Sequence, residues 1–199
     1  MRIAIPIYEG FDELDAIGPF EVFQNAADAG ADCAVGLCTV GDSEPTRVTA
    51  SHGLRVEPDG RLPTPEEPDA PALLVVPGGG WNDRSAAGAY AEYDAGVIPE
   101  AVAEHHAAGA TVASVCTGGM LLAEAGVLDG RPAVTHRGAL DDLRETDAVV
   151  REDRVVDDGD VVTAGGVTSG IDLALHLVER EFGASTASTV SDQMEYERR

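Results

Sequence analysis

Short apolar runs alternate along this chain with longer stretches whose apolar positions recur at helical spacing. Arg2 to Tyr8 (RIAIPIY) reads as a first strand, and Phe20, Val22, Phe23 and Ala26 predict a following helix that ends near Gly30. Cys33 to Val40 predicts a second strand. Thr49 to Val56 predicts a short hairpin around Ser51, His52 and Gly53, and the proline-rich Leu62 to Pro71 a surface loop. Leu73 to Val76 (LLVV) is short, continuous and bounded by Pro77-Gly78-Gly79-Gly80, as expected of a strand buried on both faces. A helix over Ala95 to Ala108, a buried strand over Thr111 to Val115 and a helix over Thr117 to Ala125 follow. A strand pair is expected around Ala148 to Asp157 and a further strand at Val161 to Ala164. Thr168 or Ser169 then caps a helix whose Ile171, Ala174, Leu175, Val178 and Phe182 share one face, and Ser185 to Tyr196 forms a short terminal helix. Alternating strands and helices imply a doubly wound α/β domain, with a mostly parallel sheet covered by helices on both faces. With no repeat or long linker, residues 1–199 are expected to be one domain.

In such a sheet, ligands sit beyond the carboxyl ends of the strands. Four segments leave strands there and should converge on one rim: Glu9 to Pro19, Gly78 to Gly80, Cys116, and Gly165 to Gly170. Cys116 sits where a buried strand runs straight into a helix through small residues, Ser114-Val115-Cys116-Thr117-Gly118-Gly119. Such a turn exposes its residue in strained geometry beside a helix N-terminus, which favours a thiolate and makes Cys116 the candidate nucleophile. The amides of Gly79 and Thr117, with Gly80 beside them, are candidates for an oxyanion hole. Asp12 and Glu13 are free to cap the first helix, which leaves Asp15 for acid and base chemistry. His136 is a candidate for orienting the thiol. His105 and His106 read as surface residues, and no partner is evident for His52 or His176.

Composition narrows the chemistry further. The 199 residues carry 36 Asp and Glu against 13 cations, all Arg, for a formal charge of −23. Without lysine there is no Schiff base and no GxxxxGK[ST] phosphate loop. A dispersed acidic surface of this kind repels phosphate backbones and anionic leaflets, so neither nucleic acid nor membrane is expected as a partner. Spread from Glu9 to Glu197, the acids resemble adaptation to high salt rather than an acidic tail. No segment reaches the roughly 20 apolar residues of a membrane span, and the N-terminus has no signal-peptide pattern, so a cytoplasmic location is expected. Cys33, Cys38 and Cys116 have no metal-site spacing, and Cys33 and Cys38 read as core fillers in one strand; neither metal nor cofactor is expected.

Taken in order, DxxGPxEVF (Asp15 to Phe23), LLVVPGG (Leu73 to Gly79), SVCTGGMLLAEAGVLDG (Ser114 to Gly130), Thr135-His136 and TAGGVTSGIDLALHLVER (Thr163 to Arg180) resemble the DJ-1/PfpI superfamily. The resemblance covers nearly the whole chain and implies a flavodoxin-like fold, commonly a homodimer, with Cys116 as nucleophile. Protease-like members place His directly after that Cys, where this chain has Thr117. DJ-1 and glyoxalase-like members carry Glu in place of Asp15, with an accessory His matching His136. The isonitrile-hydratase-like branch is similar at Asp15, Cys116 and Thr117, although Arg137 stands where that branch often has Trp. The resemblance therefore implies addition of water to an isonitrile, a small-molecule substrate, with Cys116, Asp15 and Thr117 catalytic and His136 and Thr168 as possible accessories. Two alternatives are a glyoxalase- or deglycase-like hydrolase of small carbonyl compounds using Cys116 and His136, and a non-catalytic cysteine redox or ligand sensor.

Overall fold

The computed structural model describes residues 1–41 and 47–198. Its strands are β1 (Arg2–Pro6), β2 (Ala34–Thr39), β3 (Val48–Thr49), β4 (Arg55–Val56), β5 (Gly60–Arg61), β6 (Leu73–Val76), β7 (Thr111–Val115), β8 (Pro132–Ala133), β9 (Val149–Val150), β10 (Val155–Asp157) and β11 (Val161–Ala164). Its helices are α1 (Glu13–Asp28), α2 (Ala89–Ala95), α3 (Val97–Ala107), α4 (Gly118–Glu124), α5 (Leu140–Arg144), α6 (Ser169–Phe182) and α7 (Ala184–Gln193).

Seven strands form one sheet in the order β10-β11-β7-β6-β1-β2-β5. Every pairing is parallel except that of β10 with β11. The four residues of β6 and of β11 are all buried, because helices cover both faces of the central strands and leave no polar side to alternate with. Helices α1, α6 and α7 pack on one another as one layer, and α2, α3 and α4 as the other. Helices α1 and α6 pack closely at their glycines: a Cβ on Gly18 would lie 3.4 Å from Ile171, and one on Gly170 3.3 Å from Pro19.

The expected doubly wound architecture holds, with local differences. The helix expected over Ala95–Ala108 is α3, and an unexpected helix, α2, precedes it; Gly96, at φ +77°, ends α2 in the left-handed conformation and starts α3. The residues expected to pair around 148–157 join different partners, since β9 lies parallel to β8 while β10 runs antiparallel to β11. Period-2 patterning marks strands but not the partner each one chooses. Cys33 precedes β2 and is half-buried, whereas Cys38 is buried within it, its thiol pushed up to about 12 by burial. His105 is not a surface residue. It is buried, with its two ring nitrogens 2.8 and 2.9 Å from the carbonyl oxygens of Ala101 and Pro63.

His52 and His176 also have partners, Glu13 (2.7 Å) and Asp157 (2.6 Å). Glu13 ties the β3–β4 hairpin to α1, accepting from the His52 and Leu54 N–H groups and from the Ser51 hydroxyl. Although burial alone would raise its pKa, these bonds outweigh burial and hold the carboxyl at about 2. A carboxylate whose folded pKa lies below its unfolded value of about 4.3 contributes stability above that value, and loses it as pH falls toward 2. Glu13→Gln is therefore expected to cost about 1 kcal/mol at pH 7, after screening at this partly exposed site, and nothing near pH 2. Urea titrations at the two pH values test this.

Candidate functional site

Asp12, not Asp15, caps α1: its extended backbone (ψ 128°) leads into the helix and its Oδ1 accepts the Leu14 N–H at 3.2 Å. One turn on, Asp15 is 0% exposed and faces the end of β6, where its Oδ2 accepts the Gly78 N–H at 3.0 Å. Its Oδ1 is buried without a hydrogen-bond partner among the described residues. The Cys116 thiol also lies near enough to the carboxyl to favour its charged form, less than the Gly78 bond does. Burial dominates, with the negative charge of Asp12 adding to it, and together they raise Asp15 to about 8.

Cys116 occupies the turn between β7 and α4 at φ +57°, a strained left-handed conformation for a non-glycine residue. Its N–H donates to the carbonyls of Gly165 (2.8 Å) and Ala164 (3.2 Å), and its carbonyl accepts the Thr135 hydroxyl at 2.9 Å. These three bonds lock the strained turn from neighbouring segments. The thiol is not lowered as the helix N-terminus led us to expect. Burial and the Asp15 carboxyl push it up to about 12, outweighing the Val167 and Thr117 amides that point toward the sulfur. The acid, at about 8, thus gives up its proton before the thiol does.

Thr117 is buried, and its hydroxyl accepts the Gly79 N–H at 2.9 Å. That bond corrects the expected oxyanion hole, because the Gly79 N–H already has a partner. The Gly80 N–H donates to no group among the described residues and remains free for a ligand. Gly78 allows the whole approach: a Cβ there would lie 2.5 Å from both the backbone nitrogen and the Oγ1 of Thr117. Gly78→Ala is expected to displace the Cys116 turn and cost about 3 kcal/mol, read as a lower urea midpoint together with faster alkylation of Cys116.

Cys116 (6% exposed) opens into a cavity of about 270 Å³ bounded by Gly79, Gly80, Trp81, Thr117 and Val167. Asp12, Asn82, Asp83 and His136 complete its wall. His136 lies there, but its Nδ1 accepts the Gly138 N–H (3.0 Å) and sits 3.3 Å from the Asn82 amide, and no hydrogen bond joins it to Cys116 among the described residues. Thr168 does not line the cavity. It is exposed and its hydroxyl accepts from Arg154 at 3.1 Å, while Val167, at φ +38°, takes the lining position. Sequence gave no signal for Val167, since a strained β-branched residue is visible only in the backbone. Trp81 is held in place by an Nε1–H bond to Asp142 (2.6 Å) and by edge contacts with Tyr90 and Tyr93.

Two other features do not compete with this site. A larger hollow of about 550 Å³ between β5 and α3 contains no nucleophile. Asp12, Glu13 and His52 bring one ligating atom each within 4.8 Å of one another, but Glu13 is already committed to the hairpin bonds described above.

Residues 1–180 match the DJ-1/PfpI family. The chain belongs to the DJ-1/PfpI family. It is 33% identical to the isonitrile hydratase of Pseudomonas putida over 98% of this chain and 78% of that protein. It is 26% identical to the Parkinson disease protein 7 homolog of Danio rerio over 95% and 94% of the two chains. A crystal structure of a ThiJ/PfpI family protein from Pseudomonas syringae superposes with a TM-score of 0.83 at 28% identity, covering 100% of this chain and 76% of that one. The flavodoxin-like fold of the family is therefore the fold of this chain. Among the described residues no helix is long and apolar enough to cross a membrane.

Proposed function

We propose that this chain adds water to isonitriles to give N-substituted formamides, with Cys116 as nucleophile and Asp15 as the proton-transfer group. The observation that carries the reading is the buried Asp15–Cys116 pair, in which the acid keeps its proton to about pH 8 and its Oδ1 has no protein partner. An isonitrile, R–N≡C, needs a proton and a nucleophile on the same terminal carbon. Asp15 gives that carbon its proton while the Cys116 sulfur bonds to it, and the thiol proton returns to the Asp15 carboxylate. The product is a thioimidate, R–N=CH–S–Cys116. Asp15 then takes a proton from an attacking water as it gives its own to nitrogen. Collapse of the resulting adduct forms R–NH–CHO and restores the thiol. The Gly80 N–H, which donates to no group among the described residues and belongs to a cavity-lining residue, is the donor assigned to steady the charge that develops on the substrate. Thr117 acts by fixing the Gly79 amide, so it positions the loop.

This reading is preferred to a carbonyl hydrolase because Asp15, not His136, adjoins the thiol. It is preferred to a redox sensor because the acid beside the thiol keeps, to about pH 8, a proton that the substrate carbon needs and that thiol oxidation does not. Purified protein in molar salt, given cyclohexyl isonitrile or methylglyoxal with Cys116→Ala as blank, tests it. N-cyclohexylformamide formation is expected. Methylglyoxal turnover that needs His136 but not Asp15 would instead assign the carbonyl reaction. We further propose a homodimer working in a cytoplasm of high ionic strength, testable by sedimentation in molar salt.

A further inference from the structure

We propose that the Cys116 cavity selects by charge, admitting neutral and cationic substrates and turning away anionic ones. For the reacting group this rests on the isonitrile reading above; for the charge preference it rests on the cavity alone. Two carboxylates, Asp12 and Asp83, line the cavity, and among the described residues no Arg does. A neighbouring hollow of about 520 Å³ shares Asp12, Gly80 and Asp83 with the cavity and adds Glu9. No Arg lines that hollow either. A ligand coming from that side therefore passes three carboxylates.

Cationic compensation is weak. His52 borders the outer hollow but is paired with Glu13 at 2.7 Å. Arg84, next in sequence to Asp83, lies 4.8 Å over the Tyr90 ring. His136 is the one imidazole of the inner cavity. Asp12 cannot turn away, because its side chain caps α1 through the Leu14 N–H. Cys116 itself opens into this cavity, so a reagent that reaches the sulfur stands among these carboxylates. A negative group there meets fixed like charges at short range, where surrounding salt screens least.

The test separates charge preference from reaction. Cys116 is alkylated at pH 7.5, between the ordinary imidazole range and the Asp15 value of about 8, at salt stepped from 2 M down to the lowest concentration that leaves the circular dichroism spectrum unchanged. The reagents are iodoacetamide, iodoacetate and (2-bromoethyl)trimethylammonium, and the Cys116 peptide is quantified by mass. Relative to a free cysteine peptide, the iodoacetate-to-iodoacetamide rate ratio is expected to fall about tenfold, and the cationic reagent to gain. Asp12→Asn keeps the helix cap and is expected to recover about threefold of the ratio, with Asp12→Asn/Asp83→Asn recovering most of it. A ratio equal to that of the free peptide, or one that neither substitution moves, overturns the proposal. In parallel, cyclohexyl isonitrile is expected to be hydrated with a far higher kcat/KM than isocyanoacetate. If neither isonitrile is hydrated while the alkylation ratios behave as stated, the isonitrile reading fails and the charge preference stands.

Discussion

Cys116→Ala is expected to lower isonitrile hydration by about 10⁴-fold or more, to the level of the uncatalysed reaction, while leaving the fold intact. The loss is this large because every covalent step passes through the sulfur, and no second nucleophile among the described residues lines the cavity in reach of it. The strained φ of +57° is imposed by the Gly165 and Thr135 bonds, not by the side chain, so Ala inherits the same backbone. A circular dichroism spectrum and urea midpoint close to those of the parent confirm that only chemistry was removed. Cys116→Ser should behave alike, since an alcohol buried beside a carboxyl is a far poorer nucleophile than a thiol.

The second large effect is at Asp15. Asp15→Asn is expected to reduce kcat/KM by about 10² to 10⁴, the range for loss of a positioned acid and base. The same change should stabilise the protein. An unfolded Asp titrates near 3.9 and this one near 8. Between those values the folded chain holds the extra proton, so the stability this group contributes falls as pH rises from about 4 to 8. Asn is never charged and keeps the Gly78 bond through its oxygen, so it should gain about 2 to 5 kcal/mol at pH 8, with little difference near pH 4. In the parent enzyme kcat/KM should decline above about pH 8, as the pair loses the proton that the substrate carbon needs, and Asp15→Asn should lack that limb. A fully active Asp15→Asn variant would remove the acid-base assignment.

The opposed directions of these effects fit a stability cost retained at a working site. A carboxyl with one bond made and one oxygen unpartnered is a poor choice for a core position. Its neighbours show the ordinary alternatives: Asp12 caps a helix through one oxygen at a partly exposed site, and Glu13 staples a hairpin through both of its oxygens. Only Asp15 points inward, and only Asp15 adjoins the thiol.

Much of the site could be read from the chain because strand exits are local events. LLVV ending in Pro-Gly-Gly-Gly and TVASV ending in Cys-Thr-Gly-Gly announce buried strands that stop at small residues, and parallel order brings such ends to one rim. The meeting of Asp15, Gly78, Cys116 and Gly165 follows from that rule and is what the hydrogen bonds record. The separate sheets of β9 and β10 were not legible, since each depends on a competing pairing many residues away, whereas the left-handed Gly96 that ends α2 is a local glycine signal. The same holds for His105, a polar residue by type that is buried because two carbonyls meet its ring nitrogens.

By itself, the sequence determined the order of strands and helices, the family, the absence of lysine chemistry, and which residue types stand at the strand ends. These properties depend on local periodicity and on identity, and both survive in one dimension. Tertiary structure alone decided the electrostatics and the open valences. Burial, more than the start of α4, sets the Cys116 thiol near 12 and Asp15 near 8. A hydroxyl reaching across from Thr117 removes the Gly79 amide from the candidate oxyanion hole and leaves that of Gly80. Val167 replaces Thr168 at the cavity wall through one strained dihedral angle. Each depends on distances between groups far apart in the chain and on how much water remains between them, and residue order does not encode either quantity directly.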